Sequence, residues 1–280
     1  MLGKSIGSIH KAFNCKFSPS TVYLIGLQIL DRLEVVHNKG IVHRDLKPDN
    51  FLLPKVPFEE DRTIYLIDFG LSKRYKDLKT GMHIPYRDGK SLTGTPRFAS
   101  LNTHLGMEHS RRDDLESLAY VLIYLYKGKL PWQGLYAKHN AEKEKIVIKK
   151  YMKTPLDELC SGLSPYFIKF LTDTRNLRFD ERPNYNMLKG YLMKSFENSS
   201  SINEIKYDWE IKKIDEDSDK KNNNSNNNEI KNEKKDDKKE RNESPNLPRT
   251  GSFKDKYHTP DNDNNNNEID LNINDGKDNH

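Results

Sequence analysis

Two short stretches carry the residue types that could do group-transfer chemistry. The first is His43-Arg44-Asp45-Leu46-Lys47-Pro48-Asp49-Asn50, and the second, eighteen residues beyond Asn50, is Asp68-Phe69-Gly70. Together they supply a carboxylate, an ammonium and two oxygen donors. That set suits phosphoryl transfer, which needs little covalent help from a protein but does need an oriented hydroxyl and positive charge near the phosphate oxygens. In this reading Asp45 orients a substrate hydroxyl and accepts its proton, and Lys47 neutralises charge on the transferring group. Asn50 and Asp68 are oxygen ligands of the kind that a hard cation such as Mg2+ prefers. Gly70 lets the loop turn, and Asp49 is read as a loop brace.

A lone Asp-Phe-Gly carries no weight. The pair of motifs in this order, each after an expected strand, resembles the catalytic loop and metal-binding loop of protein kinases. Lys47 is the residue found at that place in serine/threonine-type members. Further stretches narrow the resemblance. Leu92-Thr93-Gly94-Thr95-Pro96-Arg97-Phe98-Ala99-Ser100-Leu101-Asn102 closes with Ser-Leu-Asn where most kinases have Ala-Pro-Glu. With His83-Ile84-Pro85-Tyr86-Arg87, Ser110-Arg111-Arg112-Asp113-Asp114-Leu115-Glu116-Ser117 and Leu130-Pro131-Trp132-Gln133-Gly134-Leu135, it is similar to the casein kinase 1 family. The resemblance covers nearly all of residues 1–196.

That resemblance implies a mainly α fold: a protein-kinase-like C-terminal lobe with short β-strands around the catalytic loop. It implies ATP and Mg2+ as cofactors, with acidic or phosphorylated protein substrates. Leu2 would meet adenine from the hinge, and Leu52 and Ile67 would floor the adenine site. An upstream phosphate or acid on the substrate would be held by Arg97, the Gly134 backbone and Lys143. His43, Arg44 and Asp114 would be structural, with Asp114 holding the catalytic-loop backbone. Asn102 replaces the usual glutamate partner of Arg182, so that arginine must find another partner or face solvent. Ser8 stands where the family usually has an acid near the ribose, and Asn140 and Ala141 interrupt its basic cluster. The 42 residues before His43 hold no Gly-rich loop, strand lysine or helix glutamate. The expectation is therefore a chain without the small ATP-clamping lobe, shortened at its N-terminus.

The elements that must position these residues are legible from caps and periodicity. Ser18-Pro19 opens a helix through Val22, Ile25, Ile29, Leu33 and Val36, stopped by Asn38 to Gly40. Ile41-Val42, Phe51-Leu52-Leu53 and Thr63 to Ile67 read as short strands, with a long turn at residues 54–62. Residues 71–112 read as loop. Leu115 to Leu125 is apolar around most of a helix, hence buried, and Asp113-Asp114 reads as its cap pair. Ser164-Pro165 and Pro183 start the last two helices.

Composition divides the chain. Residues 1–196 form the expected kinase portion and carry 32 Lys and Arg against 21 Asp and Glu, a net +11. Residues 197–280 carry 15 against 21, a net −6, are rich in Asn, Asp, Lys and Ser, and are expected to be disordered. A basic body and acidic tail suggest an intramolecular contact in which the tail acts as a pseudosubstrate. No aromatic-interleaved basic stripe argues for nucleic acid. Cys15 and Cys160 offer no disulfide framework, the start lacks signal-peptide character, and no apolar stretch is long enough for a membrane. Cytoplasmic and/or nuclear localisation is expected. The competing function is a non-catalytic lobe that binds acidic or phosphorylated peptides.

Overall fold

A computed structural model describes residues 2–55, 62–135, 140–195 and 205–212, with the side chains of 140–144 left aside. The chain opens with strand β1 (Leu2–Ser5) and helix α1 (Ile6–Ala12), where the Ser5 hydroxyl accepts from Ser8 N at 3.1 Å. Helix α2 (Pro19–Asn38) starts where its cap and proline placed it, and the Ser18 hydroxyl accepts from Thr21 N. β2 (Ile41–Val42) leads to the His43–Lys47 segment, a 3-10 turn (Pro48–Asn50) and β3 (Phe51–Pro54). β4 (Tyr65–Leu66) is shorter than the expected 63–67. A second 3-10 turn (Phe69–Leu71) and β5 (Lys73–Arg74) follow.

β1, β3 and β4 form one antiparallel sheet, with Ser5 opposite Leu52 and Phe51 opposite Leu66. β2 and β5 form a second pair, with Val42 opposite Lys73. The remainder is helical: α3 (Leu101–His104), α4 (Arg111–Lys127), α5 (Asn140–Lys153), α6 (Leu156–Leu159), α7 (Pro165–Asn176) and α8 (Tyr185–Lys194). The expected loop of residues 71–112 is therefore interrupted by β5 and α3 and gives way to α4 at Arg111. α4 is the hub. Leu115, Leu118, Val121, Leu122 and Leu125 are fully buried, and the helix packs on α2 and α7. Of the aspartate pair, only Asp113 takes part in the cap. Ser110 is the N-cap residue, and the Asp113 carboxylate accepts from Ser110 N at 2.8 Å, which leaves Asp114 free to turn toward His43 and Arg44.

The folded body continues past residue 196. Tyr207 and Trp209 are buried and stacked at 4.4 Å, with Trp209 edge-on to Phe17. The Asp208 carboxylate accepts from Ser18 N at 2.7 Å and from its hydroxyl, so it clasps the start of α2. Gln28 donates to the Tyr207 hydroxyl and to Arg62 O, both at 2.8 Å. Arg62 lies over the Tyr207 ring and pairs with Glu210. Two buried rings, the Asp208 clasp and the Arg62–Glu210 pair together tie residues 205–212 to the core. Apart from them, the expected tail disorder, its pseudosubstrate contact and the turn at 56–61 lie outside the described residues.

Candidate active site

Asp45 lies between β2 and the 3-10 turn at 48–50, almost wholly buried, with both carboxylate oxygens engaged. Lys47 Nζ donates to Oδ2 at 2.6 Å. Thr95 donates to Oδ1 twice, from its backbone N at 2.9 Å and its hydroxyl at 2.7 Å. Burial pushes the Asp45 carboxyl up, but the bonds from Lys47 and Thr95 outweigh it and hold the group below its ordinary value. The Lys47 ammonium is held up mainly by Asp45, against the effect of burial, with help from the charges of Asp68 and Asp49. An ionised carboxylate and an ammonium thus stand together at neutral pH. Asp49 is exposed, with its carboxylate over the backbone of Gly7.

The second loop is tied to the first by backbone. Ile67 N donates to Asn50 O at 3.0 Å. His43 Nε2 donates to Ile67 O at 3.0 Å, which leaves its Nδ1 to accept from Asp45 N, and its ring meets Phe69 edge-on at 5.0 Å. Asn50 donates through Nδ2 to Asp45 O at 2.9 Å, so its amide oxygen turns the other way. Asp68 has left-handed backbone (φ 65°), an exposed side chain and one long bond from Gly70 N at 3.3 Å. Both oxygens therefore have lone pairs to spare. No group of three or more His, Cys, Asp or Glu among the described residues could hold a metal ion. A two-donor set still fits Mg2+, which keeps several waters and takes further oxygens from phosphates.

Asp114 braces this loop from beneath, fully buried at the head of α4. Its carboxylate accepts from His43 N at 2.7 Å, Arg44 N at 2.9 Å, His37 Nε2 at 2.9 Å and His109 Nε2 at 3.0 Å. Burial opposes its ionisation, yet the two imidazoles hold its pKa far down. Burial also lowers both histidines, and Asp114 reverses this at His109, which ends raised, but not at His37. Arg44 has φ 71° and donates through Nε to Leu71 O at 2.6 Å, closing the link between the two loops. Gly94 lies against this segment so closely that a Cβ there would stand 2.3 Å from Arg44 O. A side chain at 94 would push Thr95 off Asp45.

The adenine candidates share one sheet. Leu2 in β1 is exposed, while Leu52 in β3 and Ile67 just after β4 are half-buried. Among the anion candidates, Arg97 is exposed, with its guanidinium 5.3 Å from the Tyr124 ring. Gly134 is exposed at φ 71° with open space around it. The Trp132 indole N–H donates to Arg97 O at 2.8 Å, so the two segments lie side by side. Lys143 lies on α5, but its side chain is outside the described residues. Arg182 takes the solvent alternative and is exposed. A different pair, buried Glu116 with half-buried Arg175 at 3.2 Å, joins α4 to α7.

Reading residue by residue missed Thr95, although it stands inside the quoted Gly94-Thr95-Pro96 stretch. It also missed His37 and His109, for which isolated histidines give no signal. No helix among the described residues is long and apolar enough to cross a membrane. Against known families, the model described as protein kinase domain matches residues 3–192, well over half of the chain.

Proposed function

Because the chain belongs to the protein kinase family, whose domain transfers phosphate to protein substrates, we propose that it is a serine/threonine kinase of casein kinase 1 type. In this reading it moves the ATP γ-phosphate to serine or threonine in acidic or already phosphorylated proteins. The helical body corresponds to the larger, substrate-binding lobe. The observation that carries the reading is the clamp on Asp45, with Lys47 on one oxygen and Thr95 on the other.

The clamp orients the carboxylate without rotating freedom, which is what positioning catalysis requires. Asp45 aligns the substrate hydroxyl and takes its proton as the new O–P bond forms and the bond to the leaving diphosphate breaks. Lys47 offsets negative charge on the transferring phosphoryl oxygens. Asn50 and Asp68 are the residues that would hold Mg2+, which when bound neutralises phosphate charge. Leu2, Leu52 and Ile67 provide the apolar side of the adenine site. Leu2, Tyr65, Phe69 and Leu71, in and next to the strands that carry these residues, are exposed apolar groups that suit a base or a covering element. Arg97, the Gly134 backbone and Lys143 hold the upstream phosphate or acid, where a guanidinium fork is well matched to phosphate.

The test is transfer of labelled phosphate from Mg-ATP to an acidic serine peptide by the purified chain. Asp45→Asn should reduce the rate by about 10²- to 10⁴-fold, the usual contribution of a positioned base, with peptide affinity retained. Peptide binding with no transfer in the unaltered chain would favour the non-catalytic binding lobe instead.

A further inference from the structure

One aromatic junction connects the three chain segments that carry the anion-binding candidates. Trp132 and Tyr151 stack at 3.6 Å with an interplanar angle of 22°, and Tyr120 of α4 meets both edge-on at 5.0 and 5.4 Å. Trp132 lies two residues before Gly134. Tyr151 lies eight residues after Lys143 on the same helix, about two turns away. The third segment is gripped by backbone. Trp132 Nε1 donates to Arg97 O at 2.8 Å, and the Tyr151 hydroxyl donates to Ala99 O at 3.0 Å, with a longer approach of 3.4 Å to Arg97 O. All three rings are buried. The Arg97 guanidinium itself lies over the Phe98 and Tyr124 rings and is open to solvent.

We infer that Trp132 and Tyr151 are positioning residues for recognition of a substrate phosphate. They set the spacing between the Arg97 fork and the Gly134 backbone, and so decide how strongly a primed peptide is preferred. The inference rests on the anion-binding role proposed above for Arg97 and Gly134. Its physical basis is that indole and phenol donors on a stacked, fully packed pair hold the Arg97 carbonyl and its neighbour in one place. Two chelating groups on separate loops recognise an anion well only when their separation is preset. The indole N–H and the tyrosine hydroxyl do not reach the substrate. They act through the main chain of the loop that does.

The experiment measures binding of a fluorescent peptide, carrying a phosphoserine upstream of its target serine, to the full chain by anisotropy. Four variants are compared: Trp132→Phe, Tyr151→Phe, Arg97→Ala and the Trp132→Phe/Arg97→Ala double. Both aromatic changes keep a ring in the stack and remove only the donor or part of the plane, and thermal melting checks that each variant is folded. Loss of one such hydrogen bond should weaken primed-peptide binding about three- to tenfold in Trp132→Phe, and less in Tyr151→Phe. If Trp132 works through Arg97, the double variant binds no more weakly than Arg97→Ala alone. Unchanged binding in both aromatic variants overturns the inference, as does a double variant in which the two losses multiply. Should Trp132→Phe not fold, Tyr151→Phe, also combined with Arg97→Ala, decides by the same criteria. Arg97→Ala with undiminished affinity would instead remove the anion-binding reading beneath it, a separate outcome.

Discussion

Two aspartates near the catalytic loop are used in opposite ways. Asp114 is completely buried and accepts four hydrogen bonds, from two backbone amides and two imidazoles. Asp68 is exposed, with one long bond from Gly70 N. A carboxylate saturated with internal donors has no capacity left for a ligand and becomes a tie between elements. A carboxylate left in a left-handed turn with a single weak partner keeps its charge available. In this pair, burial and donor count, not residue type, separate the tie from the open donor; Asp45, buried but with three donors instead of four, keeps a lone pair for a hydroxyl.

The comparison can be broken most decisively at the buried end. Asp114→Ala leaves two backbone amides and two histidines without their acceptor, so it should cost about 3–5 kcal/mol, the range for breaking a buried charged partnership. Urea denaturation measures this, and a loss below about 1 kcal/mol would show that the carboxylate is not a tie. Asp208 tests an intermediate case, half-buried with two donors from Ser18. Asp208→Ala should lower stability by about 1–2 kcal/mol, the scale of a lost cap or charged hydrogen bond. It should also free residues 205–212 to faster amide exchange, while no change in exchange would deny them a share in the fold.

Glu108 sharpens the comparison through pH. It sits between Lys73 at 2.8 Å and Lys90 at 3.7 Å. Burial raises its pKa, but Lys73 and then Lys90 outweigh that and leave it below its ordinary value. A depressed carboxylate contributes stability that is present above its unfolded pKa of about 4.3 and is lost as pH falls through the lower folded value. Glu108→Gln should therefore flatten the loss of stability below about pH 4, seen in acid titrations by circular dichroism. An unchanged acid limb would mean that the lysines do not stabilise the ionised form.

The smallest effect on stability belongs to Asp68. Asparagine tolerates left-handed backbone, so Asp68→Asn should move the unfolding free energy by less than about 0.5 kcal/mol. Magnesium-dependent nucleotide binding should nevertheless weaken by more than about tenfold, which calorimetry reads, because a charged oxygen donor is lost. A large drop in stability with binding intact would invert the contrast between the two aspartates.

Much of this was legible in the sequence, for local reasons. Ser18-Pro19 and Ser164-Pro165 begin helices because caps and proline geometry act within one turn. The apolar run from Leu115 to Leu125 announces a buried helix because most of its circumference is apolar. Asp45, Lys47, Asn50 and Asp68 stand out because the proposed phosphoryl transfer needs those residue types in that order. The extent of β4 and the meeting of His37 with Asp114 were not legible. Each depends on groups brought from distant parts of the chain.

The sequence by itself determined which atoms are present for chemistry and where most helices begin, since caps, periodicity and side-chain type are properties of neighbours along the chain. Only the tertiary structure decided which carboxylates are saturated and which stay open. It decided that Thr95 meets Asp45 across fifty residues, that Trp132 holds the Arg97 loop, and that Tyr207 and Trp209 bring residues 205–212 back onto α2. The reason is that burial and hydrogen-bond partnership are set by packing between remote elements, where donor and acceptor are matched in space and not in order.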